Sequence, residues 1–477
     1  MQKKKFYITT TLPYVNAAPH IGFAREIIEA DVIARYQEQI LGKEVVFNTG
    51  TDEHGQKIWQ KALEQNQSPK DYCDQWASEF KNLKNLLNLN FNHFIRTTNE
   101  KHIQAAQAFW RLCEQNGDIY KAKYKVKYCV GCELAKTESE LVNGCCPLHP
   151  NQALELREEE NYFFRFSNYT TALLNLYENN PNFVQPAKRL NEIKTFVSNG
   201  LEDFSISRLK EKMPWGIEVP SDSQHVMYVW FDALVSYIST LDWPQNQAQF
   251  ADFWPGIQLA GKDNLRQQAA MWQAMLLSAH LPNSTAVLIN GFIGVNGQKM
   301  SKSLNNVISP QDMVARYGLD GTRYLLINLG TFGEDSNVSF EKFNVSYNAN
   351  LANGLGNLCS RVAQMASQIG LNLADEQQKI ALPTDYQKLM DNFALDETLS
   401  YLDAQVSKLN QFLTTNSPWQ KEIVERTQIL LTASKQIQQI ALMISPFMPE
   451  TAQKIQEHFT GYIKPFPAGL FPRLLEK

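Results

Sequence analysis

The sequence of 477 residues lacks any run of about 18 apolar residues, which excludes a helix that spans a membrane. Its basic start, Met1 to Lys5, is followed by a stretch that Pro13, Asn16 and Pro19 interrupt, and this pattern differs from a secretory signal peptide. We therefore expect a cytoplasmic protein with no membrane contact. The net charge of −4 argues against general polyanion binding, although nucleic acid needs only a local basic surface.

Cysteine is scarce as well, but it is concentrated in one place. Of the seven cysteines, four lie between Cys129 and Cys146, and in a reducing compartment such a cluster favours a metal site over disulfides. Cys129 and Cys132 form one pair, with two residues between them. Cys146 and His149 form a second pair with the same spacing, thirteen residues further on. This pattern predicts one structural Zn²⁺ per chain, with Cys145 as the alternative to Cys146.

What the sequence does contain is globular: 44% hydrophobic and 20% charged residues, over a length that suggests about three domains. Residues 6–12 and 44–47 are rich in β-branched and aromatic side chains, which predicts strands, and residues 21–41 have apolar side chains at helical spacing. Two strands joined by a helix predict a parallel pair. Ligands are then expected at the carboxyl ends of these strands, at residues 14–20 and 50–55.

Strand patterns return at residues 225–231 and 287–290, after the segment with the cysteine cluster. We interpret this as an α/β domain with a doubly wound, Rossmann-like parallel sheet that a zinc-binding insertion interrupts. From about residue 346 the pattern is helical only, which predicts an α-helical bundle. Two apolar faces are predicted there, formed by Leu351, Leu355, Leu358 and Val362 and by Ile429, Ala433, Ile437 and Ile440. The predicted domains are 1–115 and 201–295 (α/β domain), 116–200 (insertion), 296–345 (a lysine loop and its surroundings) and 346–477 (bundle).

Residues His20 to Phe23, with the sequence His-Ile-Gly-Phe, lie where a loop enters a predicted helix. The free N–H groups of a helix start attract phosphate, and Gly22 permits a close approach to the backbone. We predict that His20 is catalytic and that His20 and Gly22 contact a nucleotide phosphate. The alternative is that His20 only caps the helix.

Residues 299–303, with the sequence Lys-Met-Ser-Lys-Ser, follow a flexible turn at residues 294–297. Lysines on a mobile loop are able to neutralise leaving pyrophosphate and to close over a site. We predict that Lys299 and Lys302 are catalytic and that Lys302 also binds ATP. The alternative is an ordinary solvated basic loop.

Together these two motifs match the paired signatures of class I aminoacyl-tRNA synthetases. Over nearly its whole length the chain resembles the methionyl-tRNA synthetases, in six segments: residues 12–16, 50–55, 228–234, 261–263, 299–303 and 357–361. The resemblance implies methionine–tRNA ligase activity with methionine, ATP, Mg²⁺ and tRNA(Met), and a zinc-bearing insertion as in one methionyl subgroup. It also implies that residues 296–345 contain the stem-contact region and that the bundle binds the anticodon.

The resemblance further implies roles for individual residues. The methionine site would comprise Leu12, Tyr14, Asp52, Trp230, Ala233, Tyr237 and Gln268, with Asp52 on the ammonium group. Gly261 and Asp263 would hold the ATP ribose. The anticodon would contact Asn357, Arg361, Pro418 and Trp419. Aromatic faces suit a thioether, and a carboxylate suits an ammonium group. The alternatives are that Trp230 and Tyr237 belong to the core, that Asp52 caps a turn, and that Trp419 is a buried helix-start residue.

Two positions depart from the family pattern. Phe23 stands where the first signature usually ends in histidine, and Gln268 stands where a histidine is usual near the substrate. Two rival functions are therefore kept: a class I ligase for another amino acid, and a non-catalytic tRNA-binding paralogue. The insertion of fewer than a hundred residues leaves no room for the large editing domain of the leucine, isoleucine and valine enzymes. Since the chain ends soon after the bundle, we expect a monomer.

Overall fold

The structure is a computed structural model that describes residues 4–136, 141–300, 306–374 and 380–474. It contains two compact units. The first comprises Met1–Pro19, Gly42–Leu83 and Asn90–Asn290, and the second comprises His20–Leu41, Lys84–Leu89 and Gly291–Lys477.

The strands are, in chain order, β1 (Lys5–Thr10), β2 (Glu44–Thr51), β3 (His93–Arg96), β4 (Ile119–Cys129), β5 (Leu134–Lys136), β6 (Glu155–Phe164), β7 (Val184–Gln185), β8 (Phe204–Ser205), β9 (Ser207–Leu209), β10 (Glu218–Val219), β11 (Asp222–Met227), β12 (Ile257–Gly261), β13 (Ala286–Asn290), β14 (Ile293–Val295), β15 (Gln298–Lys299) and β16 (Ser336–Val338).

The α-helices are α1 (Ile21–Arg35), α2 (Gln56–Glu64), α3 (Pro69–Leu86), α4 (Glu100–Gln115), α5 (Thr170–Asn179), α6 (Ala187–Ser198), α7 (Val229–Leu234), α8 (Ser236–Ser239), α9 (Gln247–Phe253), α10 (Trp272–Ser278), α11 (Pro310–Ile327), α12 (Phe340–Ser346), α13 (Asn357–Gln368), α14 (Thr384–Asp391), α15 (Leu395–Asn416), α16 (Ile423–Ile444) and α17 (Pro449–His458). Segments of π- or 3₁₀-helix span Tyr36–Ile40, Phe166–Tyr169, Lys262–Asn264, Gln267–Met271, Tyr347–Gly356 and Pro418–Gln420.

The first unit is built around a six-stranded sheet in the order β3-β2-β1-β12-β13-β7, in which every pair of neighbours is parallel. The central strand β1 is paired with β2 through Tyr7 and Val46 and with β12 through Ile8 and Ile257. These four side chains are buried, as expected for a parallel sheet with both faces covered. The predicted α/β fold with a parallel sheet is confirmed. Strand β7 lies in the range 116–200, so that range also contributes to the central sheet.

The strand predicted at residues 225–231 is wrong in its second half. Strand β11 ends at Met227 and belongs to a separate antiparallel sheet, β10-β11-β9, and α7 begins at Val229. Residues 229–231 are of strand-favouring types, but tertiary packing overrides that preference. As part of a helix, Phe231 is buried against the ring edges of Phe109 and Trp110, with centroids 6.0 and 5.3 Å away.

The cysteine cluster follows the long strand β4, which ends at Cys129. This strand is paired with β6 over its length and with β5 at its end, in the antiparallel order β5-β4-β6-β8. The pairing gives the cluster a rigid base, since its first ligand is the last residue of a strand with neighbours on both sides.

In the second unit, β14 and β15 form a hairpin whose turn residues, Asn296 and Gly297, both have positive φ (51° and 80°). This is the backbone that Asn-Gly favours in a tight hairpin turn, and it precedes the lysine loop, as predicted. From α12 onward the described chain is helical. All eight residues of the two predicted apolar faces are buried, which confirms the helical bundle.

Candidate active site

Asp52 lies directly after β2, and the loop that follows β1 holds it in place. Its backbone N–H donates to Pro13 O (3.0 Å), and its carbonyl accepts from Val15 N (3.3 Å), so that Tyr14 and Asp52 form a parallel bridge. The side chain of Asp52 is only 3% exposed, and its Oδ1 has no hydrogen-bond partner among the described residues. A buried carboxylate oxygen without a donor is costly, which makes this position suited to a cationic ligand group.

The charges around Asp52 make its ionisation harder still. Burial raises the pKa of Asp52 well above its ordinary value of 3.8, and the carboxylates of Asp232 and Glu133 raise it further. A ligand that brings a positive charge next to Asp52 would lower this pKa again and stabilise the carboxylate. The alternative that Asp52 merely caps a turn explains none of this.

A buried network behind Asp52 was missed by the sequence analysis. Asp232 accepts hydrogen bonds from two histidines, His54 Nδ1 (2.7 Å) and His102 Nε2 (2.8 Å), and all three side chains are buried. Although burial opposes it, the two histidines lower the pKa of Asp232. Asp232 is therefore charged and already partnered, in contrast to Asp52. Asp232 and His54 lie in two of the segments that resemble the family, residues 228–234 and 50–55. The resemblance was therefore the signal in the sequence that pointed to these two residues.

The neighbouring Glu53 is also fully partnered. Its carboxylate accepts two hydrogen bonds from Arg96 (2.6 and 2.9 Å) and one each from Thr51 and Thr98. Of the three consecutive residues Asp52, Glu53 and His54, the last two are thus held by partners within the protein. Of the two carboxylates, Asp52 and Glu53, only that of Asp52 keeps an oxygen without a hydrogen-bond partner among the described residues.

Leu12 and Tyr14 lie in the loop after β1, whereas the other predicted methionine-site residues come from helical elements rather than from strand ends. Trp230 and Ala233 lie on α7, Tyr237 on α8, and Gln268 in the π-helical segment Gln267–Met271 directly before α10. Gln268 is fully buried, and its Nε2 donates to the Tyr237 hydroxyl (2.6 Å). Leu12 and Trp230 are half-buried, and the indole N–H of Trp230 has no partner among the described residues.

A network of glutamines fixes the amide of Gln268. Gln258 Nε2 donates to Gln268 Oε1 (3.1 Å), and Gln273 Nε2 donates to the Gln268 carbonyl (2.9 Å). Tyr7 donates to the carbonyl of Tyr237 (2.7 Å). The structure therefore brings Gln268 and Tyr237 together, and neutral hydrogen bonds replace the titratable histidine that the family pattern leads one to expect.

Gly261 ends β12, and Asp263 lies in the short turn after it with an exposed side chain. A Cβ at Gly261 would lie 2.7 Å from Asp263 Oδ1, so the two residues are adjacent. This places an exposed carboxylate at the carboxyl end of a central parallel strand, where nucleotides bind in such sheets.

His20 caps α1, as the alternative interpretation expected: Gly22 N donates to His20 Nδ1 (3.0 Å). The cap is compatible with the phosphate role, because an accepting Nδ1 leaves the ring proton of a neutral imidazole on Nε2. A Cβ at Gly22 would lie 2.7 Å from the His20 ring, which explains the glycine. The same point is 3.9 Å from Met300 Cε, and Ile21 N donates to Ile308 O (3.1 Å).

The structure thus brings the start of α1 next to the chain on either side of the lysine loop, within the second unit. Strand β15 ends at Lys299, immediately before Met300. The side chain of Lys299 and residues 301–305, with Lys302 among them, lie outside the described residues.

The four predicted metal ligands come together: the ligand atoms of Cys129, Cys132, Cys146 and His149 all lie within 4.8 Å of one another. Cys132 Sγ is 3.4 Å from Cys146 Sγ and 3.2 Å from His149 Nδ1, close to the separations within a tetrahedral zinc site, and Cys132 N donates to Cys129 Sγ. The residues therefore fit Zn²⁺. Cys145 is not part of this group of ligand atoms.

In the second unit, three of the predicted anticodon residues share one surface, which we call the anticodon face: Asn357, Arg361 and Trp419. Asn357 and Arg361 lie one turn apart on α13, and the Arg361 guanidinium lies over the Trp419 ring, 5.7 Å from its centroid. Trp419 is 46% exposed, which contradicts the alternative of a buried helix-start residue. Pro418 is buried at the start of its 3₁₀ turn, and it is therefore a backbone support rather than a contact surface.

No helix within the ranges that the structure describes is both long and apolar enough to cross a membrane. The family model described as tRNA synthetases class I (M) matches residues 6–155 and 136–363. A methionine–tRNA ligase from Nostoc sp. is 40% identical over 95% of this chain and 90% of its own length. One from Brucella suis is also 40% identical, over 100% of this chain and 99% of its own.

The comparison with a solved structure shows the same similarity at the level of the fold. The Mycobacterium tuberculosis methionyl-tRNA synthetase in complex with methionyl-adenylate has a TM-score of 0.90 and 33% identity, and the match covers 98% of this chain and 100% of that one. Family model, relatives and solved structure agree over nearly the whole length. The chain therefore belongs to the methionyl-tRNA synthetases, a family of class I aminoacyl-tRNA synthetases.

Proposed function

We propose that this chain is a methionine–tRNA ligase. It activates methionine with ATP to methionyl-adenylate and transfers the methionyl group to the 3′-terminal adenosine of tRNA(Met). The observation that carries the proposal is Asp52: its backbone is fixed by the loop after β1, its side chain is buried, and its Oδ1 is unpartnered among the described residues. The α-ammonium group of an amino acid supplies the donors and the charge that this carboxylate requires.

The side chain of methionine would be selected by aromatic and small apolar groups. Tyr14, Trp230 and Tyr237 offer aromatic surfaces, and a thioether is attracted to ring edges and faces. Leu12 and Ala233 complete the set. Gln268 supports this site by holding the Tyr237 hydroxyl through a 2.6 Å hydrogen bond.

In the first step, the methionine carboxylate attacks the α-phosphorus of ATP in line, and pyrophosphate leaves. No protein nucleophile is needed, so that the protein contributes positioning and charge stabilisation. His20 Nε2 and the N–H groups at the start of α1 would contact the phosphates, with Gly22 allowing the approach. Lys302, supported by Lys299, would stabilise the leaving pyrophosphate, while Gly261 and Asp263 would hold the ribose. Mg²⁺ bound with ATP neutralises part of the phosphate charge.

For tRNA recognition, Trp419 would stack on an unpaired anticodon base, and Asn357 and Arg361 would reach base edges. Zn²⁺ held by Cys129, Cys132, Cys146 and His149 would be structural, since four protein ligands close its coordination. The monomeric state and the cytoplasmic location stay predictions, which size-exclusion chromatography and cell fractionation test.

The deciding experiment is ATP–pyrophosphate exchange with each of the twenty amino acids, followed by charging of tRNA(Met). We expect exchange with methionine alone and transfer to tRNA(Met). Exchange with a different amino acid would assign the chain to another class I specificity. Silence with all twenty, together with retained tRNA binding, would identify a non-catalytic paralogue.

A further inference from the structure

We propose that Glu133 is a positioning residue for the methionine site, through which the metal knuckle holds Tyr14 in place. The knuckle is the group formed by Cys129, Cys132, Cys146 and His149, and Glu133 directly follows the second of these ligands. The proposal rests on the proposed function, because it assigns a task within methionine binding. All residues involved belong to the first unit.

The backbone of Glu133 is the first indication. Its φ is +51°, a left-handed conformation that a non-glycine residue rarely adopts, and its side chain is only 4% exposed. A glutamate is thus both in a disfavoured conformation and taken out of water. A disfavoured backbone conformation persists where surrounding contacts impose it, and such conformations are frequent at functional sites.

The contacts of Glu133 lead away from the knuckle and towards the methionine site. Its Oε2 accepts from the Tyr14 hydroxyl (2.9 Å), and its Oε1 accepts from the backbone N–H of Lys57 (3.1 Å) in the first turn of α2. Its carbonyl accepts from the Tyr228 hydroxyl (2.5 Å), one residue before α7. A carboxylate at a helix start is stabilised by the free N–H groups and the helix dipole. Glu133 therefore links the knuckle to both sides of the site.

Gly55, in the family-like segment 50–55, leaves the space in which the Glu133 carboxylate meets the Tyr14 hydroxyl. Its φ is +112°, and a Cβ there would lie 2.3 Å from the Tyr14 hydroxyl and 2.7 Å from Glu133 Oε2. No larger residue fits without displacing both groups. The glycine is thus explained by the approach of the glutamate to the tyrosine.

The consequence for the site follows from Tyr14. Its hydroxyl lies 2.8 Å from His54 O as well as 2.9 Å from Glu133 Oε2, and its backbone is bridged to Asp52. With one proton for two acceptors, the hydroxyl is held between them, and the ring is fixed beside Asp52. Without the carboxylate, one of the two anchors of the ring is lost.

The test measures the dissociation constant of methionine, by calorimetry on the full zinc-loaded chain without ATP. Glu133→Gly removes the carboxylate and also suits the left-handed backbone, so that the knuckle itself is not strained. We expect a dissociation constant about tenfold higher, the size of effect typical for a lost hydrogen bond to a charged group. Glu133→Gln keeps both contacts, because its amide oxygen is able to accept from Lys57 N and its amide N–H is able to donate to the Tyr14 hydroxyl, which then donates to His54 O. This variant should stay within about threefold. Glu178→Gln, an exposed glutamate on α5, is the matched control and should change nothing.

Two further measurements separate positioning from a purely structural role. In a double-mutant cycle, Tyr14→Phe and Glu133→Gly should be non-additive, since both remove the same contact. Removing Zn²⁺ with a chelator should weaken methionine binding by the natural chain and leave Glu133→Gly unchanged. Zinc content and thermal unfolding are recorded for every variant.

The proposal is overturned if Glu133→Gly, with one bound zinc, binds methionine as tightly as the natural chain. It is also overturned if the cycle is additive, or if chelation weakens the natural chain and Glu133→Gly equally. If the natural chain itself does not bind methionine, the proposed function fails and this inference fails with it. If the natural chain binds methionine and the variants give one of the results above, only this inference fails, so the two failures are distinguished.

Discussion

The proposed methionine site in the first unit and the proposed anticodon face in the second differ most in burial. Asp52, Tyr237 and Gln268 are 3% exposed or less, and hydrogen bonds hold the backbone or side chain of each. In contrast, Trp419 is 46% exposed, and its ring is in contact with the Arg361 guanidinium. A small ligand is recognised by groups that are already fixed and dry, whereas a nucleic acid is recognised by a few accessible side chains. Changes at the two places should therefore have effects of different kind and size.

The largest effect is expected for Asp52→Asn. Losing the partner of a buried ammonium group should lower kcat/KM in methionine-dependent exchange by about a hundredfold or more. The same change should stabilise the free chain. Because the pKa of Asp52 is raised, the folded chain holds a proton that the unfolded chain releases above 3.8, and the free energy of unfolding falls as the pH rises from there. Thermal unfolding at neutral pH checks the second part; normal activity, or a less stable variant, would contradict the assignment.

The next effect is expected for Trp419→Ala on the anticodon face. Loss of one stacked base should lower kcat/KM for tRNA(Met) charging by about tenfold. Methionine-dependent exchange without tRNA should not change. Val424→Ala is the matched control, because Val424 is an apolar side chain on the same unit that is 80% exposed. Equal losses in both variants would mean that general surface properties, rather than stacking, are involved.

A smaller effect is expected for Gln268→His, which introduces the residue that the family pattern has. A neutral imidazole is able to accept from Gln258 and donate to Tyr237, so that activity near pH 8 should stay within about threefold. Below about pH 6.5 the imidazole becomes charged and loses its acceptor, and methionine activation should fall. The natural chain should show no such loss from this position. Superimposable pH profiles of the two proteins would exclude Gln268 from the site.

The smallest effect on activity is expected for Asp403→Asn, which tests whether a raised carboxyl pKa by itself marks a functional site. Burial raises the pKa of Asp403, on α15, to about 6, although the Tyr324 hydroxyl donates to it (2.6 Å). The free energy of unfolding should therefore decrease between pH 3.8 and 6, and the Asn variant should be roughly 1–3 kcal/mol more stable at pH 7. Exchange and charging should be unchanged. Lost activity would show that burial and pKa do not distinguish Asp52 from Asp403.

Much of this protein was predictable from local patterns. The parallel sheet, the hairpin before the lysine loop, the helical bundle and the cysteine–histidine group each depend on spacing within a short segment, and spacing is visible in a sequence. The strand predicted at residues 225–231 is wrong in its second half because long-range packing, rather than a local pattern, decides the structure there. Its residue types favour a strand, and only the aromatic core around Phe231 makes residues from Val229 onward helical.

The sequence by itself determined which chemical groups are present: two carboxylates in segment 50–55, two lysines in a loop, and four metal ligands at closed-site spacing. The tertiary structure decided which of them are available. Asp52, Asp232, Glu53 and Glu133 are all buried acids, but Asp232 is paired with histidines, Glu53 with Arg96, and Glu133 with Tyr14 and a helix start. Only long-range contacts set these partners. Partnering, rather than residue type, therefore distinguishes the acid suited to a ligand from those that support it.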